Sequence, residues 1–237
     1  MNPLANLSYS EDIKQEKDTL GGRQLLESDV YLATIKAAYF GESSGGAISL
    51  TVVAETSKGE YRETLYLTNK EKKNFYVNSR GEKNYLPGFL HADAICLLAA
   101  QKPLSEMTTE KKVFKVYSTT AKTDVPTEVD ALPELEGKEI KLGILKEKSF
   151  KSVKQADGTY ADSDETRETN VIDKVFKAKD DKTVQECRSQ APTAVFMGEW
   201  LNKWKDQTKD QTTKSKGAST GAARTPAVAR PTTSLFN

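Results

Sequence analysis

The sequence predicts a mainly β protein with one inserted helix. Short runs with an apolar period of two recur between residues 29 and 178, and Gly- and Ser-rich turns separate the first of them. Within this region a helical pattern occurs only over residues 90–102, which Pro103 ends. The chain has 237 residues, enough for one domain with appendages.

The first three runs predict an antiparallel meander. They are VYLATIKAAYF (30–40), AISLTVVAE (47–55) and YRETLYLT (61–68). GESSGG (41–46) joins the first two, and it lacks the Lys-Ser/Thr pair that a phosphate-binding loop needs, so we interpret it as a hairpin turn.

The remaining elements follow in chain order. FYV and KNY predict the arms of a small hairpin with SRG as its turn, ahead of the helix. Strands are expected at 111–118, 138–150 and 170–178, and two short helices at 182–190 and 194–207. Residues 120–137 are rich in Pro and acids and are expected to be irregular, and residues 156–169 to form a polar loop.

Five or six short strands with a helix between the third and fourth predict an OB-like Greek-key barrel with C-terminal short helices and a disordered tail. A β-sandwich with a helix is the alternative. The predicted domains are an N-terminal arm (1–28), the barrel core (29–178), a helical extension packed on it (179–206) and the tail (207–237).

The two ends of the chain are polar. The tail has too few apolar residues to offset its ordering entropy, and from Gln211 onward it contains four basic residues and no acid. The N-terminus shows no signal peptide, no apolar run could span a bilayer, and the two cysteines lack ligand spacing, so a cytosolic protein with reduced thiols is expected.

Enzyme signatures are weak. His91, the only histidine, opens the predicted helix beside Phe89 and Leu90, which favours a packed or capping residue over a catalytic base. The acids from Asp157 to Glu165 do not have the spacing of a calcium loop. The sequence predicts no catalytic residues, no metal and no cofactor.

Basic residues interleaved with aromatics are the positive signal. Because 35 Lys and Arg balance 34 Asp and Glu, any basic surface must be local. Two sets stand out, with five basic residues against two acids in 70–89 and six lysines against two acids in 138–154. The candidate nucleic-acid-binding residues are Lys72, Lys73, Phe75, Tyr76, Arg80, Lys83 and Tyr85 in the first set, Tyr66 just before it, and Lys141, Lys146, Lys148 and Phe150 in the second.

This composition suits single-stranded nucleic acid. Lysines can follow the phosphates, and aromatic rings stack on bases of any identity. A duplex binder needs a helix that reads the major groove, and no predicted helix is basic enough. Alternatively, the aromatics form a hairpin core and the lysines protect a sheet edge from pairing.

The run YRETLYLTN…KNFYVNSRGEKNYLPGFLHADAICLLA, followed by GKEIKLGILKEKSFK and ETRETNVIDKVFKAKD, resembles the single-stranded DNA-binding proteins of tailed bacteriophages. The resemblance covers residues 25–205 and consists in the order and texture of the elements. It implies an OB-fold core that coats unwound DNA during replication or recombination in the cytoplasm of an infected bacterium.

The end of the chain departs from that family. Many such proteins end in an acidic tail, whereas this tail is basic and ends in PTTSLFN. Ser234, Leu235 and Phe236 match the last three positions of the Gln-Leu-Ser/Asp-Leu-Phe peptide that binds bacterial sliding clamps. This similarity to the clamp-binding peptide predicts a C-terminal tip that recruits a replication or recombination protein, with the sliding clamp as first candidate.

The sequence thus predicts a non-enzymatic, sequence-independent single-stranded DNA-binding protein that does not bind membranes. The alternatives are a β-barrel that binds another protein without binding DNA, and a metal-dependent nuclease that uses the carboxylates of residues 157–165.

Overall fold

In the computed structural model the described residues are 25–118, 121–155 and 160–212, and the prediction of a mainly β protein is confirmed. The strands in these parts of the chain are β1 (Asp29–Glu42), β2 (Ile48–Thr56), β3 (Gly59–Tyr66), β4 (Phe75–Val77), β5 (Lys83–Tyr85), β6 (Glu110–Ser118), β7 (Thr123–Ala131), β8 (Glu139–Lys154), β9 (Tyr160–Lys177) and β10 (Thr208–Asp210). The α-helices are α1 (Pro87–Ala99), α2 (Val184–Arg188) and α3 (Phe196–Trp204).

The main sheet is organised around β1. β1, β2 and β3 form the predicted meander, and the neighbours in the sheet run β3, β2, β1, β8, β9. β1 changes partner along its length: residues 29–34 pair with β8, whereas Tyr39 pairs with Ala131 of β7. A register shift against β2 between Ile35 and Ala37 coincides with this change. β1 therefore belongs to two differently paired parts of the sheet, one with β8 and one with β7.

The inner face of the sheet packs on α1. Ile35, Leu50 and Leu142 are fully buried in one cluster with Ile95 of the helix. Pro87 occupies the first helical position, where its fixed φ and missing N–H are tolerated, so the helix begins three residues before the predicted start. α1 also contacts β3 and β9, the two outermost strands of this order.

The outer face of the sheet has two separate covers. α3 covers the half near the start of β1, where Trp200 is buried with Phe176 and its Nε1–H donates to Asp173 at 2.8 Å. The β6–β7 hairpin covers the half near the end of β1. There Phe114 stacks on Tyr39 with ring centroids 4.8 Å apart and an interplanar angle of 16°. Buried side chains therefore lie on the outer face of the sheet near both ends of β1.

The sheet does not close into the predicted barrel. No backbone ladder joins β3 to β9 within the described residues. Instead, the Glu63 carboxylate crosses the gap and accepts the Ile172 N–H at 2.7 Å and the Tyr61 hydroxyl at 2.5 Å. Burial raises the pKa of Glu63, although these two hydrogen bonds act in the opposite direction. A side chain therefore takes the place of strand pairing at this seam.

Two segments expected to be irregular are strands. Residues 123–131 form β7, with Val125, Thr127 and Val129 turned towards the protein and Pro126 and Glu128 exposed. The acids and the proline on the exposed face concealed this alternation. Residues 160–169 were expected to be a polar loop and instead begin β9, which continues to pair with β8 beyond the part of β8 paired with β1.

The chain remains ordered past Gln207, contrary to the predicted start of the tail. Residues 208–210 form β10, parallel to residues 146–148 of β8. Ser28 is fully buried beside them. Its Oγ donates to the Gln207 carbonyl at 2.5 Å and accepts the Lys146 N–H at 2.8 Å. Residues 213–237 of the predicted tail, and residues 1–24 of the predicted arm, lie outside the described residues.

Both cysteines are free thiols, as the sequence predicts. Cys96 is buried in α1, and burial raises its pKa to about 12. Within the described ranges, no helix has the length and apolar character needed to cross a bilayer.

Candidate nucleic-acid interface

The first predicted set of basic and aromatic residues gathers at the end of β1. The loop between β3 and β4 carries Lys72 and Lys73, and Asn69 shapes it: its Oδ1 accepts the N–H groups of Glu71 and Lys73, at 2.9 and 3.0 Å. Lys72 adopts a left-handed conformation with φ of 59° and forms an ion pair with Glu42 at 3.3 Å. This loop is therefore attached to the last residue of β1.

The β4–β5 hairpin presents an aromatic face, which we call the platform and define as the exposed Val77, Lys83 and Tyr85 together with the half-buried Phe75 and Phe89. Side chains alternate along a strand, and Phe75 pairs with Tyr85 while Val77 pairs with Lys83, so these four share one face. The Lys83 Nζ lies 5.0 Å from the centroid of the Phe75 ring. The centroid of the Tyr85 ring lies 5.2 Å from that of the Phe89 ring. Because Phe89 is in the first turn of α1, the start of the helix extends the platform.

The turn of this hairpin matches the sequence prediction. Asn78 Oδ1 accepts the N–H groups of Arg80 and Glu82, and Gly81 has a φ of 78°, which a residue with a side chain rarely adopts. The Arg80 side chain is thereby held in an exposed turn next to the platform.

Tyr76 is not part of the platform. It pairs with Asn84 on the opposite face of the hairpin and is half-buried, whereas Tyr85 is 46% exposed. The two tyrosines that the sequence placed in one role therefore lie in different environments.

A cleft of about 330 Å³ lies between the end of β1–β2 and the β6–β7 hairpin. Tyr39 and Thr51 line it from the sheet, Val116 and Thr127 from the hairpin, and Tyr66 from the end of β3. Tyr66 is 53% exposed and is the predicted binding residue that lines the cleft. Sequence reasoning missed the other residues, although the alternating Val125, Thr127 and Val129 were a signal for the wall.

The charges near this site are only partly compensated. Lys73 pairs with Glu71 at 2.8 Å, and this hydrogen bond lowers the pKa of Glu71. Within the described part of the chain, the exposed Lys70, Arg80 and Lys83 form no ion pair. The platform side of the site is thus locally basic.

The second predicted set lies elsewhere and is largely engaged within the protein. Lys141 is ion-paired with Asp181. Lys146, whose side chain is 18% exposed, pairs with Glu27 at 3.0 Å and Glu168 at 3.6 Å. These contacts neutralise two of the four predicted residues.

The other two members, Lys148 and Phe150, lie on β8 within the main sheet. Lys148 stands in register between Glu168 on β9 and Asp210 on β10, and Phe150 is half-buried opposite Thr166. Since the Lys146 N–H bonds Ser28, just before β1, whereas Lys72 bonds Glu42 at its last residue, the structure places the two sets at opposite ends of β1.

His91 is packed, in agreement with the sequence interpretation. Desolvation, and secondarily the nearby Lys174, lower its pKa to about 4, and it hydrogen-bonds the main chain of Asp173 on β9. No group of His, Cys, Asp and Glu within the described ranges could hold a metal ion. The candidate tip residues Ser234, Leu235 and Phe236, and Asp157, lie outside these ranges.

Comparison with protein-family models finds no match for this sequence, and comparison with curated proteins finds no significant match. The resemblance to phage single-stranded DNA-binding proteins therefore stays a prediction.

Proposed function

We propose that the protein binds single-stranded DNA without marked sequence dependence, at the platform and the adjoining cleft. The observation that carries this proposal is the platform itself: the exposed Tyr85 ring and the half-buried Phe75 ring share one face with Lys83. Lys70 and Arg80, in the preceding loop and in the hairpin turn, form no ion pair with any described residue. Stacking on such rings contributes about 1–3 kcal/mol per base and tolerates any base, while the cations interact with phosphates.

The strand order supports an OB-type core. When a five-stranded OB barrel is opened between its third and fifth strands, its strands follow the order third, second, first, fourth, fifth. The strands β3, β2, β1, β8 and β9 have this order here, and α1 follows the third strand as the helix of an OB fold does. OB folds bind oligonucleotides on the face of strands two and three and at the first hairpin loop. Here that face carries Arg62, Thr64 and Tyr66, and the first loop adjoins Glu42.

Single strands fit this surface better than a duplex. Reading a duplex requires an element that enters the major groove and carries donors and cations. α1 contains no Lys or Arg, and α2 and α3 contain one each. The platform offers ring faces, which are useful only where bases are unstacked from a partner strand.

In this proposal the protein belongs with phage proteins that coat unwound DNA in replication or recombination, in the cytoplasm of an infected bacterium. It catalyses no reaction and needs no cofactor. The tip with Leu235 and Phe236 recruits a partner enzyme, with the sliding clamp as the first to test.

Labelled oligonucleotides test the function. We expect the full chain to retain oligo(dT) and mixed single strands with affinities within about tenfold of each other, and to bind duplex much more weakly. Loss of label by cleavage in Mg²⁺ would instead indicate a nuclease. Absence of any retention at low salt would reject DNA binding and favour the protein-interaction alternative.

A further inference from the structure

The outer edge of the β6–β7 hairpin has no partner strand among the described residues. β6 pairs with β7 along its whole length and with no other described strand. β7 is also the only element of the described ranges whose backbone runs alongside it. Nine residues of extended main chain therefore present a row of N–H and C=O groups to which another strand can bind.

The exposed face of β6 is apolar at two positions. Val113 is 65% exposed and Tyr117 is 60% exposed. Their cross-strand neighbours on β7 are Glu128 and Asp124, which are themselves exposed and do not cover them. An edge strand with exposed apolar side chains is a typical site of association with another strand.

Lysines often protect an edge strand from pairing, and β6 carries three. Two of them have a carboxylate of the same chain beside them: Lys111 pairs with Asp130 at 3.0 Å, and Lys112 pairs with Glu136 at 2.8 Å. Lys115 is the one lysine of β6 without an ion pair within the described part of the chain. The charge that opposes pairing is therefore small.

A symmetric pairing of β6 with a second copy of itself allows few registers. Two copies related by a two-fold axis pair their strands antiparallel, and residues directly opposite each other share one face, so the axis passes through a residue. An axis at Lys112 or at Lys115 would place that lysine against its own copy. An axis at Val113 would place Lys111 against Lys115 of the second copy. Like charges directly opposite each other destabilise a pair of strands.

An axis at Phe114 pairs all nine residues of β6 and places no like charges opposite each other. It brings Lys115 opposite Val113 of the second copy, and Lys111 opposite Tyr117 of the second copy. The methylene groups of a lysine cover apolar side chains, and its ammonium group is attracted to an aromatic ring. This register therefore covers both exposed apolar residues of the edge. On the other face it brings the two Phe114 side chains together, and aromatic cross-strand pairs stabilise sheets.

We propose that β6 is the interface of a symmetric dimer, in which two copies of the chain form one four-stranded sheet of order β7, β6, β6, β7. A second copy is the partner that this edge fits, because the strand is complementary to itself in charge. An interface built on a single edge strand is small, so the association is weak and the monomer predominates in dilute solution. This inference does not depend on the proposed function.

Sedimentation velocity of the full chain tests the dimer, in reducing buffer and over a series from low to high micromolar concentration. We expect the average mass to rise with concentration towards twice that of the monomer. Val113→Lys places a second lysine opposite Lys115 at both symmetric positions, and it should weaken association by about tenfold. Val113→Glu places a carboxylate opposite the same lysine, and association should be as strong as in the wild type or stronger.

The two substitutions act in the opposite sense within one chain. Glu128 lies opposite Val113 on β7, so a lysine at position 113 is attracted to it and a glutamate is repelled. Melting temperatures in dilute solution measure this effect separately, and Val113→Glu should be the less stable monomer. Val153→Lys is the matched control, since Val153 is an exposed valine of β8 and its substitution should leave association unchanged.

Three results would overturn the inference. The mass of a monomer at every concentration would reject the dimer and leave the edge to another protein or to residues outside the described ranges. Association that Val113→Glu weakens as much as Val113→Lys would reject the register centred on Phe114. Association that neither substitution changes would place the interface on another surface.

Discussion

The α-carbon of Gly88 lies directly against the main chain of Tyr66. A Cβ added at Gly88 would lie 2.4 Å from the Tyr66 carbonyl oxygen and 2.8 Å from its nitrogen, distances that no folded structure tolerates. Gly88 is the second residue of α1, and the platform residues lie just before this helix and in its first turn. The contact therefore holds the platform against the end of β3, where Tyr66 lines the cleft.

Gly88→Ala should therefore lower the melting temperature and weaken single-stranded DNA binding together, since the helix must move away from β3. Gly198→Ala is the control: Gly198 lies in α3 with no atom within 4 Å of an added Cβ. Removing a helical glycine there should stabilise the protein by up to about 1 kcal/mol. Thermal unfolding and anisotropy of both variants decide the matter; unchanged unfolding in Gly88→Ala would refute the contact.

Tyr85→Ala should weaken single-stranded DNA binding by about 1–3 kcal/mol and leave the melting temperature nearly unchanged, because the ring is exposed on the platform. Tyr76→Ala should instead reduce stability, since that ring is half-buried on the other face. Tyr117→Ala is the matched control, an exposed tyrosine on β6 that should alter neither quantity. Equal losses of affinity in Tyr85→Ala and Tyr117→Ala would exclude a dedicated platform.

Lys83→Ala should make the dependence of log affinity on log salt shallower by about 0.7, the change expected when one phosphate contact of a single strand is lost. Lys146→Ala should leave this slope unchanged and lower stability, since Glu27 and Glu168 hold its charge within the protein. Titrations at four salt concentrations separate the two. A slope that changes for Lys146 and not for Lys83 would move the binding surface to the other end of β1.

Phe114 and Tyr39 should be energetically coupled, because their rings stack between the β6–β7 hairpin and the main sheet. In a double-mutant cycle with alanine, measured by urea unfolding, we expect a coupling energy of about 0.5–1.5 kcal/mol. Val113→Ala, an exposed neighbour on β6, should cost little. Strict additivity of the Phe114 and Tyr39 substitutions would mean that the hairpin is held in place by other contacts.

Stability should fall between pH 6.5 and about 4 through His91. Desolvation lowers the pKa of this imidazole in the folded protein, so in that window the unfolded chain binds a proton that the native chain does not. The contribution is complete above pH 6.5 and is lost as the pH falls. The chain has one histidine, so His91→Gln should flatten this part of the pH profile in urea titrations. An identical profile in the variant would assign the loss to carboxyl groups.

The meander and the β4–β5 hairpin could be predicted because their signals are local. Alternation marks β1 to β3, and FYV, SRG and KNY encode a hairpin whose facing side chains follow from its register. The cleft could not be predicted, because its wall depends on β7 reaching Tyr39, a pairing between residues distant in sequence. In β7 itself the acids and Pro126 sit on the exposed face and hid the pattern.

The second basic set was overestimated for a related reason. A count of lysines in a segment contains no information on which remote carboxylates they meet. Glu27, Glu168 and Asp181 each come from a different part of the chain, and only the fold brings them to Lys146 and Lys141. Local charge therefore predicted a surface where the folded chain contains ion pairs.

The bond from Ser28 to Gln207 has a practical consequence. Ser28 lies near the beginning of the described chain and Gln207 near its end, and the bond holds both beside the start of β1. The cleft and the platform lie near the other end of β1. A fluorophore or a surface tether attached at residue 25 or at residue 212 is therefore anchored at the far end of that strand. Molecules immobilised through either of these two residues would carry the cleft and the platform at the end of β1 away from the attachment point, which suits them to single-molecule measurements on stretched DNA.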